Sequence, residues 1–582
     1  MTTFGLQWTP ARAVLVIILI TSGLYLGSFS VPFFWDDDVL IVNNPHIRSL
    51  ENPNRFWAKP FWELVSAEHK ERDKPNRHIM YRPLVMFSFA LDYWLYGLWA
   101  PGFHLTNLLF HLAVLLLAFA LARKIVGGDD CELAALAILL FAVHPVMTQA
   151  VTWIAGRSDL LCALFVLGGI YLFHLCEERK SYGLAVLLAM PCFFLALLTK
   201  EVAILFPFLL MATYRDPLAN KKRIVSLILL CPIPLAAYSY LKRAASSGSP
   251  LWDSGEALWS HLSALLKGTT AIFRYLYTLL VPTGLRLSYQ ELSQKNLELF
   301  PWDWFFFPFL AALLFFCLWQ WRKRHALAFV PFWFVLPLLP ITNGVLFKGL
   351  WTQFAERYLY LPSIFFFLLP LGLISKFLEK HPQWRGKVGR ALLLFVLLLG
   401  LLTMQRNGLL QDPVALWQAE LKASPNNVEA LSNLAINLCR QGKAEKGIVH
   451  LRKLCLLTPN SPLAWNNRLL AAVDCEFLDE AKLSYERARR LAPKQTLPSV
   501  NYALLLLRKG NYVKARGKLA EALRIQSNNR QALLLLAHCY LGEKRPKEAK
   551  GVLLKILSLW PKDPEARELL TAAEASLTQK AG

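Results

Sequence analysis

Apolar runs long enough to cross a hydrocarbon layer recur through the first part of the chain, and a finer alternation of apolar and polar positions replaces them after residue 404. The runs lie near 13–30, 103–122, 132–150, 159–175, 182–199, 202–214, 224–241, 304–321, 326–341, 358–375 and 388–404, which makes about eleven spans. Arg12 precedes the first run and no small-residue cleavage signature follows it, so it reads as a retained helix with a cytosolic N-terminus. Basic connections then recur on that same side: Arg123-Lys124, Glu178-Arg179-Lys180, Lys221-Lys222-Arg223, Arg322-Lys323-Arg324, and the loop with Lys376, Lys380, Arg385 and Lys387. Residues 263–282 would break this alternation if counted as a span, so a re-entrant or surface helix on the outer side is expected there. An odd number of spans leaves residue 405 onward on the outer face. The first outer loop, 31–80, holds an aromatic piece from Phe56 to Trp62, suited to a helix lying at the interface, and a mixed-charge run from Glu68 to Arg77.

Beyond 404 the chain is Ala- and Leu-rich, and it repeats. Pro425, Pro459, Pro493, Ser527 and Pro561 stand at a constant spacing of 34 residues, the period of tetratricopeptide helix–turn–helix units. Small and aromatic positions keep the same phase, among them Ala435, Ala503 and Ala537, and Gly447, Ala481, Ala515 and Ala549. The expected organisation is a membrane domain over 1–404, a connector with a partial repeat helix over 405–427, four repeats over 428–563, and a capping helix and tail over 564–582. Asn433, Asn467 and Asn501 also recur at 34. Each side chain offers a donor and an acceptor, so a ladder of them suits the backbone of an extended acceptor peptide; inter-repeat packing is the plainer alternative.

Composition agrees with the pattern. Hydrophobic residues make up 55% of the 582, aromatics 13%, and mean hydropathy is +0.36, which indicates a polytopic membrane protein. The net charge of +23 lies largely in short loops between apolar runs, and no nucleic-acid motif accompanies it. Ten scattered cysteines form neither a C-x-x-C pair nor a zinc spacing.

The candidate chemistry sits on the outer face. Asp36-Asp37-Asp38 follows the first apolar run, and its face is shared by Lys200-Glu201, the stretch from His144 to Asp159, and Glu356-Arg357. Charged groups often only mark where helices meet water, but four such places on one side of a hydrophobic bundle indicate a cavity. Three neighbouring carboxylates would also attract a divalent cation, although no ligand spacing requires a metal.

Specific stretches carry a resemblance. They are Asp36-Asp37 followed by Ile41-Val-Asn-Asn-Pro45, Tyr81-Arg-Pro-Leu84, Gly102-Phe-His-Leu-Thr-Asn-Leu-Leu109, Phe141-Ala-Val-His-Pro145 with Gly156-Arg-Ser-Asp159, Leu198-Thr-Lys-Glu201, and Ala355-Glu-Arg-Tyr-Leu-Tyr-Leu-Pro-Ser363. In these and in its order of membrane part then repeats, the chain resembles the transmembrane-and-tetratricopeptide-repeat-containing (TMTC) protein O-mannosyltransferases, within the GT-C class of membrane glycosyltransferases. It departs from them in its third acid Asp38, in His46 where the family often has an acidic residue, and in a shorter repeat array, which fits a bacterial or other microbial source.

The resemblance implies an all-α fold, a GT-C-type helix bundle followed by a tetratricopeptide α-solenoid. It implies a polyprenyl-phosphate-linked sugar as donor, mannose first among candidates, and a Ser/Thr hydroxyl of a protein as acceptor, recruited by the repeats. Inverting transfer needs one base, for which Asp36 or Asp37 is expected, with Asp36 favoured by its place in the family motif. On an extended segment successive side chains face opposite ways; the second acid would then orient the loop through Asn43 or Asn44. Arg82, Arg157, Lys200 and Arg357 are the candidates for the lipid phosphate. His144 and Asp159 would orient these cations or bind sugar, and Glu201 and Glu356 would pair with their neighbours. The site would face the periplasm or outside of a bacterial plasma membrane, or the lumen of the endoplasmic reticulum if the source is eukaryotic. A non-enzymatic membrane scaffold and a lipid or solute transporter are the rival classes. The scaffold leaves so many spans with charged ends unexplained, and a transporter more often has its site at the midplane and internal repeats in the membrane part.

Overall fold

The computed structural model describes residues 4, 8–64, 80–127, 131–214, 216, 218–245, 258–289, 301–322, 327–342, 354–561 and 563–578. The mixed-charge run from Glu68 to Arg77, Lys323-Arg324 and the final residues of the tail lie outside these. Among the described residues every regular element is helical. The chain divides into two compact units, one ending at Asp412 and the other beginning at Pro413.

In the first unit five helices are long and apolar enough to cross a membrane: Pro10–Ser30, Ala100–Val126, Ile154–Glu178, Lys221–Ala245 and Pro382–Leu410. Two bent pairs, Cys131–Ala142 with Pro145–Val151 and Glu356–Ser363 with Leu368–Lys380, raise the number to seven if each is one span. The bends are 54° and 50°. Proline, which removes a backbone donor, opens the second piece of the first pair and lies at Pro362 in the second.

Of the remaining expected spans, 304–321 lies in the 22-residue helix Pro301–Arg322, and the others are shorter as helices. Tyr182–Leu197 has 16 residues, about 24 Å at 1.5 Å per residue, against the ~30 Å of a hydrocarbon core. The run at 326–341 is broken into Val330–Val335 and Leu339–Thr342. Against the eleven spans expected, five to seven helices among the described residues are long and apolar enough to cross a membrane. Residues 263–282 fall mostly in one continuous helix, Leu258–Leu280, which buries Tyr275 and Leu279 while Tyr277 and Leu280 face outward. On Pro382–Leu410 the residues Leu394, Leu397, Leu398 and Leu401 are exposed, an apolar face that lipid covers at no penalty and water does not.

The second unit is a succession of antiparallel helices: Pro413–Ala423, then four pairs from Val428–Arg440 to Pro546–Leu559, then Pro564–Thr578. Its first-helix caps keep the 34-residue register. The side chains of Asn427, Ser461, Asn529 and Asp563 accept the backbone N–H three residues on, satisfying donors that a helix start leaves open. A turn position also keeps it: Gly442, Glu476, Gly510 and Lys544 all have positive φ, at 73°, 57°, 71° and 57°. A Cβ at either glycine would meet nothing within 4 Å, so the left-handed backbone is the constraint there. Lys544→Gly is accordingly expected to raise stability by about 0.5–1 kcal/mol, read as a higher unfolding midpoint of the intact protein. At Gly447 the constraint is space, since a Cβ would come within 2.8 Å of the Ala435 carbonyl oxygen.

The asparagine ladder belongs to this packing. Asn467 donates to Ser432 Oγ at 2.7 Å and Asn501 to Asn466 Oδ1 at 3.2 Å, each reaching back one repeat, while Asn433 donates to Glu429 O of its own helix at 2.9 Å. Asn467 and Asn501 are buried. Each thus has an amide donor engaged between repeats, as the packing alternative expects.

Candidate functional site

The acidic loop is anchored before it is shaped. His104 Nε2 lies 2.9 Å from Val31 O, and Trp35 takes a left-handed backbone, φ 58°, that turns the chain into a helical segment over residues 36–42. The acids are thus not on an extended strand. They project at successive helical angles, and each meets a different environment. Asp37 is fully buried: Oδ1 accepts Ala155 N–H at 2.9 Å and Oδ2 accepts Phe34 N–H at 3.4 Å. Burial drives its carboxyl well above the usual carboxylate range, against the pull of those two N–H groups and with the charges of Asp36 and Asp38 adding to the rise. Asp36 and Asp38 are half-buried. Neither asparagine is hydrogen-bonded to Asp37. Asn44 caps the next turn, accepting His46 N–H at 2.9 Å and donating to Leu40 O at 3.0 Å, and Asn43 is exposed.

Trp35 stacks on Trp153, ring centroids 4.5 Å apart. On Trp153 lies Arg357, its guanidinium carbon 5.2 Å from the indole and 4.9 Å from the ring of Tyr358. Lys200 Nζ stands 4.8 Å from that same tyrosine ring and is ion-paired with Asp159. Arg82 is held by Glu201 through both carboxylate oxygens, the closest contact being 2.7 Å. Burial lowers the proton affinity of Arg82, but the Glu201 carboxylate outweighs it and holds the guanidinium above its ordinary value. The structure therefore gathers the acidic loop, Arg357, Lys200 and Asp159 around a line of aromatic rings.

Three of the expected site positions are engaged with partners inside the protein. Arg157 is fully buried, donating to Asp92 at 2.5 Å, Asn107 Oδ1 at 2.7 Å, Phe103 O at 3.1 Å and Ser88 O at 3.3 Å. Its donors, directed to these protein acceptors, join three helices. His144 has both ring nitrogens engaged with backbone, Nε2 with Leu279 O at 2.9 Å and Nδ1 accepting Val146 N–H at 3.3 Å. The glutamates pair across the fold rather than with their sequence neighbours: Glu201 with Arg82, and Glu356 with Arg406 while accepting Arg286 N–H at 2.6 Å and Tyr289 O–H at 2.5 Å.

What remains is an asymmetry among the cations. Arg82, Arg157 and Lys200 are each neutralised by a carboxylate. Arg357 makes no ion pair among the described residues, and its Nη1 is a buried donor without a hydrogen-bond partner there. The indole Nε1 of Trp153, beside it, is a second such donor. Trp35, Trp153 and Tyr358 had no role assigned from sequence, although Tyr358 stands inside the motif 355–363, Trp153 within the stretch from His144 to Asp159, and Trp35 beside Asp36. Among the described residues no three His, Cys, Asp or Glu side chains gather as metal ligands.

A tetratricopeptide repeat model matches residues 506–573. The chain is 27% identical over 518 residues to the human protein O-mannosyl-transferase TMTC1, covering 80% of this chain and 57% of that protein. It is 24% identical over 614 residues to the mouse protein O-mannosyl-transferase TMTC3, covering 94% and 64%. It is 27% identical over 437 residues to the Caenorhabditis elegans protein O-mannosyl-transferase F38B6.6, covering 73% and 59%. The chain thus spans about three fifths of the length of these curated relatives. A solved thermophilic tetratricopeptide protein in Thermus thermophilus is 23% identical, covering 31% of this chain and 96% of that one, with a TM-score of 0.26. The chain is similar to the TMTC proteins over most of its own length.

Proposed function

We propose that this chain is a membrane glycosyltransferase that moves a sugar, mannose first among candidates, from a polyprenyl phosphate to a Ser/Thr hydroxyl of a protein. The relatives named as protein O-mannosyl-transferases support the reaction class. The observation that carries the site is the pair of buried, unpartnered donors, Arg357 Nη1 and Trp153 Nε1, beside the acidic loop. Buried polar hydrogens lacking an acceptor are unfavourable by about 1–3 kcal/mol each, and a phosphate oxygen is an acceptor that would satisfy both. In the reaction the hydroxyl oxygen attacks C1 of the sugar, the C1–O bond to phosphate breaks, and the hydroxyl proton passes to Asp36. The leaving phosphate takes up the bond's electron pair, and the unneutralised Arg357 stabilises that charge as it develops. Lys200 and Arg82, each with its carboxylate, line the site without adding net charge.

The test is transfer of hexose from polyprenyl-phosphate-mannose to a Ser/Thr-rich peptide by the purified full chain in nanodiscs, followed by mass spectrometry. Arg357→Gln is expected to lower the rate about ten- to hundredfold, as loss of a charge-assisted hydrogen bond worth ~1.5–3 kcal/mol implies. Arg357→Lys should recover only part, because an ammonium cannot present two parallel donors. Unchanged transfer in Arg357→Gln would remove this residue from the phosphate site, and no transfer by wild type from any lipid-linked sugar would remove the enzyme reading.

A further inference from the structure

A second concave site lies in the repeats. Arg452, Cys455 and Leu456 from Ala444–Leu457, Trp465 and Arg468 from Pro462–Asp474, and Arg487, Arg490 and Leu491 from Leu478–Leu491 surround a cleft of about 480 Å³, with Pro459 and Asn460 completing its lining. Its size falls within the range of about 300–1,000 Å³ typical of ligand sites. Four of its ten lining residues are arginines. Arg452 and Arg468 are held by Glu480, at 3.0 and 2.5 Å. Arg487 and Arg490 are exposed and make no ion pair among the described residues. Trp465 is fixed as a wall, its indole donating to Pro459 O at 2.8 Å with Arg468 5.2 Å from the ring. Leu456 at the edge is 82% exposed.

We propose that this cleft binds an acidic segment of a partner polypeptide in which carboxylates flank a large apolar side chain. The guanidinium forks of Arg487 and Arg490 match carboxylates, while Trp465, Leu456 and Leu491 supply apolar surface. In an extended peptide successive side chains point to opposite faces, so one strand presents acid to the arginines and an apolar group to the tryptophan side. The amide of Asn460 offers a donor and an acceptor to a peptide group. The field of the whole array favours the same partner: residues 413–582 hold 27 Lys and Arg against 15 Asp and Glu, a net charge of +12. The inference stands on the repeats and is independent of the transfer reading.

The test is fluorescence anisotropy with the full chain in nanodiscs of zwitterionic lipid. The probe is a labelled twelve-residue peptide alternating Glu with Leu and Phe, compared with its Gln analogue. The Glu peptide is expected to bind, to weaken with salt, and to lose at least tenfold in affinity in Arg487→Gln with Arg490→Gln. A control pair elsewhere on the array, Lys514→Gln with Lys547→Gln, removes the same charge and should change affinity less than threefold. Equal loss in the control would reduce the effect to diffuse attraction and overturn the site, as would equal binding of the Gln peptide or none of the Glu peptide. Selective loss of binding to vesicles of anionic lipid, with peptide binding intact, would likewise overturn it by giving the arginines to a membrane surface.

Discussion

Asp36→Asn is expected to reduce hexose transfer by about two to four orders of magnitude, the contribution of a positioned proton acceptor to a hydroxyl nucleophile. Folding and the yield of purified protein should stay intact. The asymmetry between the two acids is what makes this specific. Both oxygens of Asp37 face backbone N–H groups inside the fold, whereas Asp36 is half-buried on the same helical turn. Asp37→Asn should act on stability instead, with a pH signature. A carboxyl whose folded value is raised contributes stability that is fully present below its unfolded value of about 3.9. That contribution is lost as pH rises toward the folded value. The neutral amide escapes this loss, so the unfolding midpoint of Asp37→Asn relative to wild type should climb between about pH 4 and neutrality. Near-wild-type transfer in Asp36→Asn, with transfer abolished in a well-folded Asp37→Asn, would exchange the two roles.

The parts of this molecule that were legible in the sequence are those governed by period and composition. The 34-residue register marks the helix pairs, because each repeat must present the same small residue where two helices touch, as Ala481, Ala515 and Ala549 do. Apolar runs mark the membrane part, but run length overstates helix length where proline interrupts, as within 326–341. Candidate site residues were legible as types and not as pairs. Lys200 and Glu201 are adjacent in sequence, yet one pairs with Asp159 and the other with Arg82, because neighbouring side chains on a bend point in different directions. The left-handed backbone at Trp35, which brings that ring onto Trp153, leaves no trace in composition or spacing.

Arg157→Met is expected to lower stability by about 3–5 kcal/mol, as removal of one partner from a buried ion pair does. Asp92 would then lie in the bundle with a charge, one hydroxyl contact from Thr106 at 2.9 Å and no cation. Asp92→Asn should be similarly damaging, since the guanidinium would keep its carbonyl acceptors and lose its counter-ion. Combining Arg157→Met with Asp92→Leu should restore much of the loss, because the penalty arises from the unpaired charge and apolar replacements of both partners remove it. Unfolding midpoints of the four proteins in detergent, arranged as a double-mutant cycle, measure the coupling directly. The same variants separate the two arginines by function. If Arg157 only joins helices, the compensated double variant should transfer hexose at a rate within a few fold of wild type once folded, whereas Arg357→Gln should stay slow however stable it is. A compensated variant that folds and is inactive would return Arg157 to the phosphate site and require its network of Asp92, Asn107 and Ser88 to open in the working enzyme.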